Sequence, residues 1–382
     1  MRVLMVNGHG DDPSCGGAER AVKVLASYLV ENGAKVAYLQ AFPQSLPGLD
    51  VPRTVLHQTD WRGDRTRRVR VHVGSVVAPA SSRIADAIAN HSPDVVHTHN
   101  LAGMATGVWE VARRLGVPVV HTIWDYYLLC PRVTLTRRDA SPCHPSPLLC
   151  GFRSRRLARW APAVSHVIGC SQHVLDVHAD LFPRAEMQVL RNPVEPPDTD
   201  IRPPREQPSV LGYIGSLDRV KGVHLLLAAL PRLASLGFSL RLAGDGRLRE
   251  EVAAGAQAHA ALRWEGHLTG EAKQRFLEDC DVGLIPSVWA EPGGPTFTMV
   301  EWLAARRPVL VSDRGGLGEV VGMYPGSEAV EPDVDAIVEA VAGLRDRRRW
   351  RDLVEGAGSD PPVETTAEWA AAHEALYGRL VS

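Results

Sequence analysis

Residues 281–320 read DVGLIPSVWAEPGGPTFTMVEWLAARRPVLVSDRGGLGEV. Two short apolar runs, Val282–Pro286 and Pro308–Ser312, have the composition of strands buried on both faces. The loop between them carries Glu291, Gly293 and Gly294, and a helix follows with Glu301 in its first turns. A second glycine turn, Gly315-Gly316, leads to Glu319. Strand, glycine-rich loop and helix start together present unpaired backbone N–H groups, which suits a phosphate. A carboxylate one or two turns into such a helix can accept from sugar or ribose hydroxyls. The stretch predicts an α/β fold with a parallel sheet and a phosphorylated ligand at its carboxyl edge.

The residues before it repeat the pattern. A strand over Val210–Ile214 runs into Gly215-Ser216-Leu217-Asp218-Arg219-Val220-Lys221-Gly222, then a helix over Val223–Leu233. A strand at Ser239–Ala243 ends in Gly244-Asp245-Gly246, and a helix at Leu248–Gln257 follows. The short strand Leu262–Trp264 ends in Gly266-His267-Leu268, and a helix at Gly270–Asp279 leads into the opening stretch. Repeated glycine at strand ends suggests a ligand that only backbone can approach closely. Downstream, residues 332–353 predict one or two helices, with Arg345–Arg351 a solvated face. A last helix spans Thr365–Leu380 after the break at residues 356–362.

Upstream lies a Pro-rich polar stretch, PPDTDIRPPREQP, of linker composition, and the domain boundary is placed there. The first half opens with a strand at Arg2–Val6, a turn, and Gly16-Gly17 at the start of a helix with apolar Ala21, Val24, Leu25, Tyr28 and Leu29. Gly33 stops that helix before a strand at Lys35–Leu39. The dinucleotide G-x-G-x-x-G fingerprint is absent. Trp61–Arg70 holds five arginines, read as a solvated loop, with a strand at Val69–Val77. A helix (Ile84–Asn90) and strand (Asp94–Val96) lead to His97-Thr98-His99-Asn100. A second pair, Ala105–Leu115 and Val117–Val120, leads to His121, Trp124 and Asp125. Both histidine clusters are thus expected at the carboxyl ends of adjacent parallel strands, where open α/β sheets bind ligands. Leu128–Arg159 reads as irregular and lid-like. Its Cys130, Cys143 and Cys150 with His144 have the donor count of a zinc site, but without C-x-x-C pairing free thiols are the plainer reading. Phe152–Trp160 is a short basic amphipathic helix. Val164–Cys170 is a strand, and Ser171 caps a helix over Gln172–Leu181.

Composition narrows the function. At 382 residues the chain suits two domains. A net charge of -2 gives no nucleic-acid signal. No apolar run approaches the roughly 20 residues of a membrane span, and the N-terminus lacks a signal-peptide core. The expectation is cytoplasmic, with peripheral attachment at the inner membrane face left open by the basic patches.

In order along the chain, GGAER (16–20), DVVHTHN (94–100), HTIWDYYLLCPR (121–132), RNPV (191–194), GSLDRVKG (215–222), AGDG (243–246), WEGHL (264–268) and the 281–319 segment resemble the retaining glycosyltransferases of family 4. The resemblance implies the GT-B fold: two Rossmann-like domains with a cleft between them and a C-terminal helix crossing back. Its expected domains are 1–197 for the acceptor, 205–360 for the nucleotide sugar, and 361–382 packing back on the first. It implies transfer from a nucleoside-diphosphate sugar, a UDP-sugar foremost, to a hydroxyl of a polysaccharide, lipid-linked or natural-product acceptor. His121, Glu291 and Lys221 would be catalytic. His121 would contact the transferred sugar, and Lys221, helped by Arg219, would neutralise the diphosphate. Gly16, Gly17, Gly244, Gly293, Gly294, Pro295, Thr296 and Phe297 would line the donor, Glu291 would bind its sugar and Glu301 its ribose. His267 and Leu268 would meet the base. His99, Asn100, Trp124 and Asp125 face the acceptor side in this reading. No D-x-D motif is present, so no cofactor and no essential divalent metal is expected.

Two positions depart from the family pattern. Ser216 stands where a basic residue is usual. Nine residues separate Glu291 from Glu301, where seven are usual. Either the loop bulges by two residues, or the sugar contact moves to the Gly293–Phe297 backbone. A nucleotide-sugar 2-epimerase-like isomerase and a degenerate nucleotide-sugar binder are the rival readings. Base, sugar and acceptor are not legible in these residues.

Overall fold

Short runs of Val, Leu and Ile bounded by glycine and polar turns become two wholly parallel sheets in the computed structural model of the chain. The structure describes residues 1–9, 16–44, 46–57, 66, 82–104, 106–143, 147–193, 201–359 and 364–382. One unit comprises Met1–Leu135, Cys143–Arg191 and Thr366–Ser382, the other Thr136–Pro142 and Asn192–Thr365.

Unit 1 contains β1 (Arg2–Asn7), β2 (Lys35–Gln40), β3 (Arg53–Val55), β4 (Val95–Thr98), β5 (Val119–Ile123), β6 (His166–Gly169) and β7 (Glu186–Val189). Their order is β3-β2-β1-β4-β5-β6-β7. The direction of winding reverses between β1 and β4, where Met5 pairs with His97. The helices are α1 (Gly17–Glu31), α2 (Ser82–His91), α3 (Gly107–Arg114), α4 (Leu148–Ala158) and α5 (Gln172–His178). Ser171 caps α5 as its sequence suggests, its hydroxyl accepting from the Val174 N–H at 3.0 Å. The C-terminal helix, Thr366–Val381, packs on α1 and β4 and buries Trp369 and Tyr377.

Several sequence expectations need correction here. His97 lies inside β4 and His121 inside β5, not in the turns beyond them. Helix α4 starts at Leu148, within the stretch read as irregular. Strands β3 and β7 carried no sequence expectation. The arginine-rich residues 61–70 other than 66, the strand at Val69–Val77, and His144 lie outside the described residues. So do Val194, residues 196–200 of the linker stretch and residues 360–362 of the break before the last helix.

Unit 2 contains β8 (Val210–Ile214), β9 (Ser239–Ala243), β10 (Leu262–Trp264), β11 (Val282–Ile285), β12 (Val309–Ser312) and β13 (Ser327–Val330), ordered β10-β9-β8-β11-β12-β13. Its helices are α6 (Val223–Ser235), α7 (Arg249–Ala258), α8 (Gly270–Asp279), α9 (Phe297–Ala304), α10 (Gly316–Val320), α11 (Val334–Gly343) and α12 (Arg347–Ala357). Alternation along the strands divides the core. Leu211, Tyr213, Val282 and Leu284 pack with α6, α11 and α12. Ile214 and Ile285 face the opposite side, with Met299, Trp302 and Leu317. Gly212 and Gly283 are register partners, and a Cβ on either would lie 2.4–2.5 Å from the Trp302 ring. The two glycines are what let the indole lie flat on the sheet.

Buried charge fixes the edge of this unit. The Asp281 carboxylate accepts from the Ser209 and Val210 N–H groups at 2.8 and 2.9 Å and from the Arg205 guanidinium at 2.9 Å. Arg307, wholly buried, donates to the carbonyls of Cys280, Arg202 and Glu278 at 2.7–2.8 Å. Truncating Asp281 to Ala removes the acceptor of three backbone N–H groups, those of Arg205, Ser209 and Val210, and the ion pair to the Arg205 guanidinium. We expect a loss of about 3 kcal/mol, read as a lower urea midpoint at unchanged slope.

Candidate active site

In unit 2 the winding reverses between β8 and β11, and loops leaving such a point bound a crevice. Past β8 the chain makes a single 3₁₀ turn, Arg219–Lys221, ending at Gly222. Gly222 has φ +77°, and a Cβ there would sit 1.8 Å from the Pro286 carbonyl oxygen. Only glycine lets the loop after β8 press on the loop after β11, and the Val288 N–H then donates to the Val220 carbonyl at 2.9 Å. That approach delivers Lys221 Nζ to Glu291, 2.7 and 3.0 Å from its two oxygens. Ser287 donates its hydroxyl to the same carboxylate, and the Trp289 ring lies 5.0 Å from the ammonium. Glu291 is 3% exposed, so its charge depends on these partners.

The backbone pins Glu291 independently. It forms a parallel bridge with Gly315, and the Gly316 N–H donates to its carbonyl at 2.7 Å. A Cβ on Gly294 would meet the Gly316 carbonyl oxygen at 1.8 Å. The Pro295 carbonyl accepts from Asn192 Nδ2 at 2.8 Å. Thr296 caps α9 through its hydroxyl, 3.3 Å from the Met299 N–H, and Phe297 opens that helix. Gly293, Gly294 and Pro295 are therefore buried loop residues laid against the second glycine turn. Glu301 is separate, half-buried and paired with Lys273 Nζ at 2.6 Å.

Farther along the edge, Gly244 donates to the Gly266 carbonyl at 2.7 Å and accepts from Trp264 Nε1 at 3.2 Å, which leaves Leu268 half-buried and His267 exposed. Arg219 is also exposed. Ser216 donates to Asp218 at 2.7 Å, and Arg247 Nε donates to the other oxygen of that carboxylate at 2.6 Å.

Unit 1 packs His97 against His99 and against His373 of the C-terminal helix, with ring centroids 3.9 and 5.8 Å apart. Thr98 spends its hydroxyl hydrogen on the Val120 carbonyl at 3.1 Å, so its oxygen accepts from Trp109 Nε1 at 3.0 Å and from His121 Nδ1 at 2.9 Å. The Thr98 carbonyl is a second acceptor for His121 Nδ1 at 3.1 Å. This fixes the proton on Nδ1 and leaves Nε2 an acceptor. Burial pushes His121 down to about 3, so the ring is neutral at ordinary pH. His97 links the Tyr377 hydroxyl on Nδ1 to Thr122 on Nε2, at 2.7 Å for the latter. His99 Nδ1 accepts from Trp124 Nε1 at 3.3 Å, while its Nε2 has no hydrogen-bond partner among the described residues. His99, Asn100, His121, Trp124 and Asp125 line one small hollow. Asp125 is raised to about 6, chiefly by desolvation, although it accepts from the Tyr127 N–H at 2.7 Å.

The Asn100 N–H donates to Asn7 Oδ1 at 3.1 Å, joining the loops that leave β1 and β4. Gly16 and Gly17 begin α1, but Glu19 Oε2 already accepts from the Gly16 N–H at 3.1 Å. Cys130, Cys143, Cys150, Cys170 and Cys280 are free, and no group of three or more potential metal ligands occurs among the described residues.

The structure thus brings Lys221, Glu291 and the Gly293–Thr296 loop together in unit 2, and His99, Asn100, His121, Trp124 and Asp125 together in unit 1. Sequence reading missed Ser287, Trp289 and Lys273 in the first and Thr98, Trp109 and Tyr377 in the second. Ser287 and Trp289 lie four and two residues before Glu291, a signal that was available. Lys273 and Tyr377 sit on helices with no local mark of their role.

Comparison with known proteins agrees with this architecture. Residues 15–197 match the family described as Glycosyltransferase Family 4, and residues 208–347 match Glycosyl transferases group 1. Glycogen synthase of Mycobacterium tuberculosis is 29% identical, with 96% of this chain and 92% of that protein aligned. The 2-deoxystreptamine glucosyltransferase of Streptomyces kanamyceticus is 30% identical over 50% of this chain and 53% of its own. Sucrose-phosphate synthase of Thermosynechococcus elongatus superposes with a TM-score of 0.75 at 17% identity, covering 99% of this chain and 98% of that one. Anabaena HepE in complex with UDP gives 0.70 at 15%, covering 99% and 100%. The chain belongs to the retaining family 4 glycosyltransferases of GT-B fold and is a nucleotide-sugar-dependent glycosyltransferase.

Two outcomes follow from the geometry. Lys221→Ala strands the Glu291 carboxylate in a buried site. We expect about 3 kcal/mol of destabilisation, most of it recovered in Lys221→Met/Glu291→Leu, as a double-mutant cycle by urea melts will show.

The second concerns acid. Each buried histidine binds its proton less tightly folded than unfolded. The unfolded chain takes protons up as pH falls through about 6.5, whereas the folded chain waits until about 4 at His178 and His373 and about 3 at His121. His97 and His99 are shifted the same way. Stability is therefore full above about pH 6.5 and declines steadily below it. Asp125 opposes this, but it is one group against several. Thermal melts between pH 4.5 and 7, on the order of these values, should show the midpoint falling with acid.

Proposed function

We propose that the chain moves a sugar from a UDP-sugar to a hydroxyl of a polysaccharide, lipid-linked or natural-product acceptor. In this reading residues 205–360 hold the donor and residues 1–197 the acceptor, with 361–382 bracing the latter. The observation that carries it is the Lys221 ammonium at the winding reversal of unit 2, flanked by two glycine turns. Uridine is favoured because the HepE structures contain UDP and UDP-glucose.

A departing diphosphate needs charge stabilisation more than a strong base. Lys221 supplies it, with Arg219 alongside and the N–H groups of Gly293, Gly294, Thr296 and Phe297 nearby in the loop. Glu301 suits the ribose diol, Gly244, His267 and Leu268 the base, and Glu291 the donor sugar while it orients Lys221. Gly16 and Gly17 would add backbone donors once Glu19 yields its place. Neutral His121 offers Nε2 as acceptor to a sugar hydroxyl, and His99, Asn100, Trp124 and Asp125 shape the acceptor side. Both Glu291 oxygens are engaged, which disfavours a covalent glycosyl intermediate on it. Front-face substitution fits instead: the anomeric carbon–phosphate bond breaks, the acceptor oxygen bonds on the same face, and its proton leaves with the phosphate oxygen. No resident metal is invoked.

The donor should declare itself in a thermal-shift screen of UDP-, ADP- and GDP-sugars, since stabilisation reaches about 2.7 kcal/mol at a hundredfold excess over Kd. No shift with any of them would remove the donor assignment. His121→Ala should cut transfer by at least about a hundredfold while UDP still binds in calorimetry. Nucleotide release that ignores added acceptor would point to an epimerase-like isomerase.

A further inference from the structure

The most exposed of the large apolar side chains among the described residues stand together on one turn of α4. Leu148, Leu149 and Phe152 are 94%, 82% and 62% exposed. Arg155 and Arg156, also exposed, continue the same face. At 3.6 residues per turn these five positions occupy an arc of about 120°. Ser154 and Leu157, on the far side, are buried in unit 1. Arg153 anchors the helix from its flank, its Nη1 donating to the Tyr127 carbonyl at 2.6 Å with the guanidinium 4.7 Å from the Tyr127 ring. The helix, LLCGFRSRRLA, contains no acidic residue. Its outward face is therefore an apolar tip followed by two cations with nothing to neutralise them within the helix.

We propose that this face seats on an anionic phospholipid surface. Leu148, Leu149 and Phe152 enter the interface while Arg155 and Arg156 meet lipid phosphates, their stems lying along the acyl boundary. Two features favour a bilayer over a protein partner. Three side chains fall well short of the roughly 800 Å² per partner that a stable protein interface buries. A bilayer, by contrast, holds a small apolar wedge when neighbouring cations add attraction to anionic lipid. The second feature is the segregation of apolar tip from basic end along one arc, which matches the depth profile from acyl chains to phosphates. No part of this rests on the donor, the acceptor or the catalytic residues, and no residue of this face belongs to the proposed site.

The full-length protein is sedimented with vesicles of phosphatidylglycerol and phosphatidylcholine and with vesicles of phosphatidylcholine alone. Wild type is expected to pellet with the anionic vesicles, less so as salt rises, and weakly with the neutral ones. Leu149→Ser/Phe152→Ser should stay in solution with both. Arg155→Ala/Arg156→Ala should lose roughly thirtyfold in affinity for anionic vesicles and nothing on neutral ones. All three proteins should melt at nearly the same temperature, because the altered side chains are exposed and lie mostly in solvent. Wild type that stays in the supernatant with anionic vesicles overturns the proposal. So does a serine variant that pellets like wild type, or a wild-type dimer in sedimentation velocity that the serine variant dissolves, since that assigns the face to a second copy.

Discussion

The Glu291 carboxylate is almost wholly removed from water, and a charge in that position persists only with partners. Lys221 provides one at 2.7 Å and Ser287 another. Much of the carboxyl edge of unit 2 is arranged so that they can. Gly222 lets the loop after β8 touch the loop after β11, and Gly315 lets the turn after β12 bridge to Glu291. Three loops from three neighbouring strands thus converge on one ion pair at the point where the winding reverses. The pair is at once a structural necessity and the best-placed cation for a diphosphate. Substitutions here therefore act on stability and on transfer together unless both partners are changed.

Unit 1 solves a different problem. Among its described residues it buries six histidines, and each would be costly as a cation, so all are held neutral. Neutral imidazole can donate at one nitrogen and accept at the other, and the strands use this. His121 is fixed in tautomer by Thr98, whose own hydrogen is committed to Val120. His97 carries the chain's last helix, through Tyr377, into the middle of the sheet. The helix is thereby more than a lid on α1: it supplies a hydrogen-bond partner to a strand next to the one that bears His121.

Much of the sheet architecture is legible in the chain because central parallel strands must be apolar on both faces. VLMV after Arg2, VGLI at 282 and VLVS at 309 announce themselves in this way. Three of the four edge strands, β3, β7 and β13, do not. β3 has three residues, and EMQV of β7 and SEAV of β13 are half-exposed and polar in part, so no burial pattern marks them. The polar residues His97 and His121 look like strand ends in sequence, because apolar periodicity stops at them. They are inside the strands because side chains from other elements satisfy their nitrogens.

For Asp281–Val320 the sequence by itself determined strand, loop, helix and turn, since local composition and glycine placement suffice for each. It also determined the family, through motifs whose order is a property of the chain. Only the tertiary structure decided that Glu291 belongs to Lys221, seventy residues away, and Glu301 to Lys273. It alone decided the tautomer of His121 and the outward face of Leu148, Leu149 and Phe152. The reason is common to all of these. An ionic pair, a proton's position and an exposed apolar side chain depend on what the rest of the fold brings near, and no local window of sequence contains that information.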